Sequence, residues 1–395
     1  MVEGFSNDLV FQSCVMALLA TLIAWQNMPL ILAAPAALLR VGFCLWYFGA
    51  VFDGTWTLID DLNYFNDSAS ILRDGFDPLS VLFTIDGAEL LSNAAGGRHF
   101  LYQWYNLVAM YLFGEHYYAA VLMNVLATFG IGFFLSRTLK LLGFSRNYRI
   151  GLELFYLFHW DVITWSSFIN LKEIVVQLLT VASLYSIVRF LKCRDWISVV
   201  GFLATVQLFY WVRFYLPVLI LFAVLVWGLW QWRDQRKFLL VPVALGAVYV
   251  ALHTAGEAVS FLEPTHFIHG LSLVLLSPLP WVQFEDVFWF IAIPAAIHLL
   301  FFLPALYGAW QLWKTSSVAR LFLFYLAILL CFYGAVEFDG FRGPRQRSQM
   351  AFIFAWMQFQ FLCSMRPAPA AKAATTARPT PGLPQAPRRR LVPAA

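Results

Sequence analysis

Long apolar stretches separated by short basic turns are the feature of this sequence that most restricts its fold. Of its 395 residues, 61% are hydrophobic and only 12% are charged, whereas soluble domains carry about 25% charged residues. A bilayer core of about 30 Å is crossed by a helix of roughly 20 apolar residues. Because lipid offers the backbone no hydrogen bonds, such segments must be helical. The sequence therefore predicts an all-α, polytopic integral membrane protein.

The apolar runs predict about 10 transmembrane helices, or about 11 if Phe11–Trp25 also crosses, since that run is slightly short for a span. The stretch Phe100–Phe113 is aromatic and amphipathic, and we expect it to lie at the membrane interface. The predicted spans are Leu30–Phe52, Tyr117–Leu135, Ile150–Trp165, Glu173–Leu191, Trp196–Trp211, Tyr215–Trp232, Phe238–Ala255, Val287–Trp313, Leu321–Ala335 and Ala351–Cys363.

Basic residues recur in turns that the alternation of spans puts on one side of the membrane. These turns are 137–149, 189–194, 233–237 and 314–320. The positive-inside rule makes that side the cytoplasm. The regions then predicted to lie outside are the acidic loop 53–99, residues 160–172, Arg213, and the turns 257–286 and 337–347.

Composition divides the chain into two regions. Residues 1–364 contain all the apolar runs and form the predicted membrane domain. Residues 365–395 are rich in Pro, Ala and Arg and have little to bury, so we expect a disordered cytoplasmic tail.

An acidic pair, Asp60 and Asp61, follows the apolar lead-in within the stretch TLIDDLNYFNDSASIL. Adjacent carboxylates point in different directions, so one can accept a proton from an attacking hydroxyl while the other positions a partner or a metal. His99 stands far along the chain from the pair, which makes a carboxylate the available base. Tyr64, three residues on, is a candidate for substrate binding. The alternative is that the pair belongs to an ordinary solvated loop.

Several cations stand where the positive-inside rule does not place them. Lys172 precedes Glu173 in WSSFINLKE, and Arg213 lies in WVRFYLP. Arg345 and Arg347 lie in FDGFRGPRQR. A guanidinium binds phosphate oxygens through two parallel hydrogen bonds, and an ammonium acts as a point charge. These residues are candidates for a phosphate site, with Glu173 beside them as a substrate contact; the alternatives are a snorkelling lysine and arginines paired with nearby acids.

Asp161 stands near the end of a predicted span, where an ionisable group is a candidate for substrate binding. His266 and His269 are three residues apart near Glu263, a spacing that suits a metal on a helix but is more often interfacial. We therefore assign no metal ligand, and a divalent cation stays open as a cofactor. The nucleotide-binding and serine-hydrolase motifs do not occur in a suitable context, which argues against ATP hydrolysis, a nicotinamide cofactor and serine-hydrolase chemistry.

The order of these motifs resembles that of the GT-C superfamily of membrane glycosyltransferases, which includes the protein O-mannosyltransferases and the lipid A aminoarabinose transferases. The similarity is one of pattern, across roughly residues 35–350. The stretches that carry it are DDLNYF, then HFLYQWYNLVAMYLFG, WSSFINLKE, VRFYLP and GPRQR.

This resemblance implies a sugar donor on polyprenyl phosphate and an outer-loop aspartate that deprotonates the acceptor. Carried over, Asp60 or Asp61 is the base, with Asp60 favoured as the first acid of the pair. Lys172, Arg213 and Arg345 are then candidates for the donor phosphate. The implied location is the bacterial inner membrane, with the active site facing the periplasm and a glycan, lipid or protein as acceptor.

The sequence departs from this pattern in two ways, because the outer loops after residue 250 are short and no large soluble carboxy-terminal domain follows. The acceptor therefore stays unspecified. The alternatives are a polysaccharide polymerase or ligase, and a flippase or other transporter of lipid-linked sugars. A transporter is expected to carry polar groups in mid-span and helices broken by Gly or Pro.

The predicted topology is tested by thiol labelling in intact cells. In a background without native cysteines, a cysteine at Ser92 should react with a membrane-impermeant maleimide, and a cysteine at Thr375 should react only after the cells are permeabilised. The reverse pattern would put the acidic loop on the cytoplasmic side and contradict the assignment.

Overall fold

The computed structural model of the protein describes residues 5–54, 59–96, 99–231, 264–278, 289–336 and 342–365. Their regular secondary structure is entirely helical. The predicted span Phe238–Ala255, the basic turn 233–237, residues 337–341 and the tail from residue 366 lie outside the described residues.

The described residues before 170 form nine α-helices. They are α1 (Asn7–Trp25), α2 (Leu30–Trp46), α3 (Ile59–Arg73), α4 (Ser80–Phe83), α5 (Ile85–Ala94), α6 (Phe100–Phe113), α7 (Tyr117–Leu141), α8 (Arg146–Leu157) and α9 (Trp160–Ser167). A π-helical turn, Tyr47–Val51, extends α2.

The second half of the described chain contains eight further helices. They are α10 (Glu173–Cys193), α11 (Trp196–Arg213), α12 (Leu216–Gln231), α13 (Pro264–Leu276), α14 (Trp289–Thr315), α15 (Ser317–Val336), α16 (Arg342–Ser348) and α17 (Ala351–Ser364).

Seven helices within the described ranges are long and apolar enough to cross a membrane: α1, α2 with its π-helical turn, α7, α10, α11, α14 and α15. The first helix is among them because it begins at Asn7, four residues before the predicted apolar run. Helices α12 and α17 are apolar but shorter, at 16 and 14 residues. The prediction of an all-α protein with many apolar helices is confirmed, and these helices indicate a membrane protein.

The predicted span Ile150–Trp165 was wrong, because the structure divides it into α8 and α9. The backbone becomes extended at His159, with φ −66° and ψ 132°, and α9 begins at the next residue. The His159 ring is fully buried and lies 2.9 Å from Oε1 of Gln358. A sequence with an almost continuous apolar pattern gives little sign of such a break.

Helices α7 and α10 lie at the centre of the bundle, since their apolar stretches are the most buried of the seven, whereas α11 is the least buried. Large apolar side chains point outward on the peripheral helices, as expected for a surface that faces lipid. Examples are Leu18, Leu38, Leu203, Leu300 and Leu303. The beginning of α10, where Lys172 and Glu173 stand, is therefore one end of a central helix.

The segment predicted as an outer loop, 53–99, is largely helical and packed. Helix α3 packs along α6, where the Gln103 amide donates to the backbone carbonyl of Tyr64 at 3.2 Å and to Oγ of Ser68 at 2.9 Å. The indole of Trp104 donates to the carbonyl of Pro78 at 2.8 Å. Helix α6, which the sequence placed at the interface, is thus the support on which the acidic helix α3 rests.

Helices α14 and α17 approach closely at Gly308, where a Cβ atom would collide with the backbone carbonyl oxygen of Met357. We predict that Gly308→Ala lowers the free energy of unfolding by about 1–3 kcal/mol, because the two backbones must separate. Gly42→Ala is the matched control, since a Cβ there meets nothing within 4 Å. Thermal unfolding in one detergent measures both, and equal midpoints would contradict the close contact.

Candidate functional site

The two adjacent aspartates stand in the first turn of α3 and face different surroundings. Successive residues on a helix are separated by about 100° of rotation. The Asp60 carboxylate is half exposed and accepts a hydrogen bond from Arg345 at 2.6 Å. Asp61 is fully buried, and its carboxylate accepts from the Tyr117 hydroxyl at 2.9 Å. The pair is therefore divided into one accessible and one internal carboxylate.

A chain of charged groups extends inward from Asp60. Arg345 also donates through Nε to Oε1 of Glu173 at 2.7 Å, and Arg213 donates to the same oxygen at 2.7 Å. Glu173 is fully buried, while the Arg213 and Arg345 side chains are only 12% and 15% exposed. Four elements that are distant in sequence, α3, α10, α11 and α16, meet in this cluster.

Lys172 occupies the adjoining position and is almost completely buried. Its Nζ lies 2.7 Å from the Tyr64 hydroxyl and 2.8 Å from Nε2 of His99. Nδ1 of His99 lies 3.2 Å from the carbonyl oxygen of Val212, which can only accept, so Nδ1 carries the proton and Nε2 accepts from Lys172. Tyr64 likewise accepts from Lys172, which leaves the Tyr64 proton for a further acceptor.

Electrostatics set the protonation of these groups. Burial alone would raise the pKa of Asp60, but the charge of Arg345 and its hydrogen bond outweigh it and hold that pKa below its usual value. Burial, together with the nearby Lys172, lowers the pKa of His99 to about 4. At neutral pH Asp60 is thus ionised and His99 is neutral.

Three basic residues, Lys172, Arg213 and Arg345, lie around the two carboxylates of Asp60 and Glu173. Burial and then the charge of Arg213 depress the pKa of Lys172 well below its usual value. An arriving anion would therefore be attracted by both guanidinium groups and would also favour the charged form of Lys172. Such an arrangement suits an anion with several oxygen acceptors.

A hydrogen-bond network beneath the cluster fixes the segment that carries Lys172. The hydroxyl of Tyr117, bonded to Asp61, accepts from the backbone N–H of Asn170 at 3.0 Å. The Asn170 side chain accepts from the Tyr102 hydroxyl at 2.6 Å. Asp61 is therefore connected to the segment of Lys172 through Tyr117 and the backbone of Asn170.

His99 is far along the chain from the acidic pair, but the structure brings its ring to Lys172 and Tyr64 at the edge of the cluster. His99 immediately precedes α6, and the packing of α6 on α3 and α11 brings its ring to Lys172 and to an edge-on contact with Tyr64 at 6.2 Å between ring centroids. The separation in sequence gave no sign of this contact. His99 therefore adds a neutral imidazole to the site, with Nε2 engaged by Lys172.

Arg347 and Asp161 do not join the cation cluster. Arg347 is buried and donates to the carbonyl oxygens of Ser277 at 2.9 Å and Leu275 at 3.3 Å. Its nearest carboxylate is Asp161, 3.7 Å away, which itself lies 3.7 Å from His298. The sequence grouped Arg347 with the phosphate ligands and Asp161 with the substrate. The structure instead places both residues with His298 in a second, deeper cluster.

The predicted histidine pair has a different setting. His266 and His269 are exposed on α13, and Glu263 is outside the described residues. Within the described ranges, no group of three His, Cys, Asp or Glu side chains could hold a metal. A divalent cation as cofactor therefore stays a possibility raised by the sequence alone.

Comparisons with protein-family models, with curated proteins and with solved structures found no match. The fold itself defines the class: an all-α protein whose described residues include helices long and apolar enough to cross a membrane. Its activity is inferred from the site alone.

Glu173 is the common partner of two guanidinium groups, so its charge should matter to stability. Removing one partner of a buried ion pair costs about 3–5 kcal/mol, because the remaining charge is left uncompensated. We predict that Glu173→Gln lowers the free energy of unfolding by an amount of this order, measured by thermal unfolding.

The matched control is Glu115→Gln, which breaks an exposed pair with Arg73 that is 2.8 Å long. An exposed pair is worth about 0–1 kcal/mol. Equal shifts in the two variants would mean that Glu173 does not hold the cluster together.

Proposed function

We propose that this chain is a membrane glycosyltransferase that moves a sugar from a polyprenyl-phosphate donor to an acceptor in the assembly of cell-envelope glycans or exopolysaccharide. The observation that carries the proposal is the cluster of Lys172, Arg213 and Arg345, with the accessible carboxylate of Asp60 bonded to it. It combines an anion site and a candidate base within one set of contacts.

The position of the cluster suits a phosphate with a lipid tail. Glu173 begins α10, a helix of 21 residues whose other end carries Lys192, so the cluster lies at one end of a helix about 30 Å long. A polyprenyl chain could then remain among the apolar helices while its phosphate meets Arg213 and Arg345. Guanidinium groups suit this role because they form two parallel hydrogen bonds with phosphate oxygens.

The proposed step is a direct displacement at the anomeric carbon of the sugar. The acceptor hydroxyl oxygen forms the new bond to this carbon as the bond to the phosphate oxygen breaks, and the phosphate leaves with the electron pair. Asp60 takes the hydroxyl proton. Competition of the donor phosphate for Arg345 would release Asp60 from its ion pair and make it a better base.

Orientation follows from the basic turns. Arg137, Lys140 and Lys192 stand at the ends of α7 and α10 opposite to the cluster, and the positive-inside rule assigns such ends to the cytoplasm. In this proposal the cluster faces the outside of a bacterial inner membrane. Donor and acceptor would then meet in the periplasm.

A second candidate, a transporter or flippase of lipid-linked sugars, is favoured by a different observation. Polar groups are buried within the helical bundle, where Arg40 donates to Ser166 and Ser167 at 2.5 and 3.0 Å and Asp161 lies near His298. Ionisable groups inside a membrane often mark ion or substrate pathways. A transporter would move the intact donor across a vesicle membrane without cleaving its sugar. A polymerase or ligase, the other alternative, would consume a lipid pyrophosphate donor.

The test of the proposal is the substitution Asp60→Asn, which keeps size and polarity but removes the proton acceptor. General-base catalysis is typically worth about 10²–10⁴-fold in rate, so we predict a loss of that order in sugar transfer. The measurement follows release of labelled sugar from a panel of polyprenyl-phosphate hexoses and pentoses in membranes that contain the protein.

Asp74→Asn is the matched control, because Asp74 is an exposed aspartate one residue beyond the end of α3. It should transfer sugar at the parent rate. Parent activity in Asp60→Asn as well would remove the base from the mechanism, and a parent protein that cleaves none of the donors would reject the proposed reaction.

A further inference from the structure

Two of the arginines in the short helix α16, Arg345 and Arg347, have separate partners. Arg345 reaches Asp60 and Glu173 in the cation cluster. Arg347, two residues on, reaches the deeper cluster that contains Asp161. Since neighbouring positions of a rigid helix move together, whatever fixes Arg347 also fixes the base of the Arg345 side chain.

Arg347 has partners on two other elements of the fold. Its Nη1 donates to two backbone carbonyl oxygens at the end of α13, those of Leu275 and Ser277. Its Nη2 lies 3.7 Å from the carboxylate of Asp161 on α9, and both side chains are almost fully buried. Nε2 of His298, on α14, shares the Leu275 carbonyl at 3.1 Å. The guanidinium therefore joins α16 to the end of α13 and to the start of α9.

Gly343 provides a second constraint at the amino end of α16. A Cβ atom at this position would collide with the backbone carbonyl oxygen of Leu273 in α13. Only glycine allows the two backbones to come this close. The axis of α16 is thus seated directly on α13.

The carboxyl end of α16 is fixed by side chains from two central helices. Gln177 of α10 donates to the carbonyl oxygen of Ser348 at 2.6 Å, and Tyr333 of α15 donates to Oε1 of Gln349 at 2.7 Å. Helix α10 is also the helix that begins with Glu173, the partner of Arg345. The carboxyl end of α16 is therefore tied to α10, the helix whose first residue is bonded to Arg345.

We infer that Asp161, Arg347 and Gly343 form a positioning device that holds Arg345 against Asp60 and Glu173, and that the phosphate site works only while α16 is seated on α13. This inference rests on the proposed function, because it assigns Arg345 to the donor phosphate. It gives the deeper cluster a role in the same reaction without contact with the substrate.

Small movements of α16 should have large effects. Arg345 makes two hydrogen bonds of 2.6 and 2.7 Å to carboxylates on different helices. Misplacement of a reacting or binding group by about 1 Å can cost about 10²-fold in rate. Relieving the collision of a new Cβ at Gly343 requires a displacement of that order.

The closing experiment compares Gly343→Ala with Gly42→Ala, whose added Cβ meets nothing within 4 Å. Asp161→Asn is the second variant, since it removes the charge that faces Arg347 while keeping the shape of the side chain. Two measurements are made on protein purified in detergent: the rate of sugar transfer at saturating donor, and the extent of phenylglyoxal modification at Arg345, read by mass spectrometry. Thermal unfolding identifies any variant that has not folded.

We expect folded Gly343→Ala to lose about 10²-fold in transfer rate and to show increased modification of Arg345, with smaller changes of the same sign in Asp161→Asn and none in Gly42→Ala. Folded Gly343→Ala and Asp161→Asn variants with parent modification and parent rate would overturn the positioning role. If the parent protein transfers no sugar but Gly343→Ala still exposes Arg345, the proposed function fails while the positioning of Arg345 by α16 stands.

Discussion

The interaction on which this site depends is the bridge that the buried Glu173 carboxylate makes between Arg213 and Arg345. A carboxylate withdrawn from water is costly unless nearby charges and hydrogen bonds compensate it. Two guanidinium groups provide that compensation, and in doing so they draw the end of α11 and the short helix α16 against the start of α10. Without the bridge, the two guanidinium groups would lie close together with only Asp60 as a bonded carboxylate.

The rest of the structure follows from where this bridge is placed. It lies at the end of a central helix, and its accessible edge is the half-exposed carboxylate of Asp60. The packed helices α3 and α6 supply that edge and add Tyr64 and His99 next to Lys172. Two guanidinium groups and a lysine beside an accessible carboxylate are the physical basis for proposing an anionic, lipid-linked donor.

The sequence was sufficient to predict the fold class, because helices in a membrane leave an unmistakable apolar pattern. It also singled out Asp60, Lys172, Glu173, Arg213 and Arg345, which the structure brings into contact: charged residues at the ends of apolar runs on the same side of an alternating topology can meet. Other features could not be predicted, since they depend on packing between distant elements. One such feature is the position of His99, which α6 brings to Lys172, and another is the break between helices at His159. A third is the difference in partners between Arg345 and Arg347, which stand two positions apart on a short helix.

The most direct test of a phosphate site at the cluster is the binding of a polyprenyl monophosphate to the purified protein in nanodiscs. The neutral polyprenol of equal chain length is the comparison. A ligand that binds only the folded protein at 100 times its dissociation constant stabilises it by about 2.7 kcal/mol. We predict stabilisation of this order by the phosphate lipid, little by the alcohol, and loss of the difference in Arg345→Gln. Equal effects of the two lipids, or an undiminished difference in that variant, would contradict a phosphate site at the cluster.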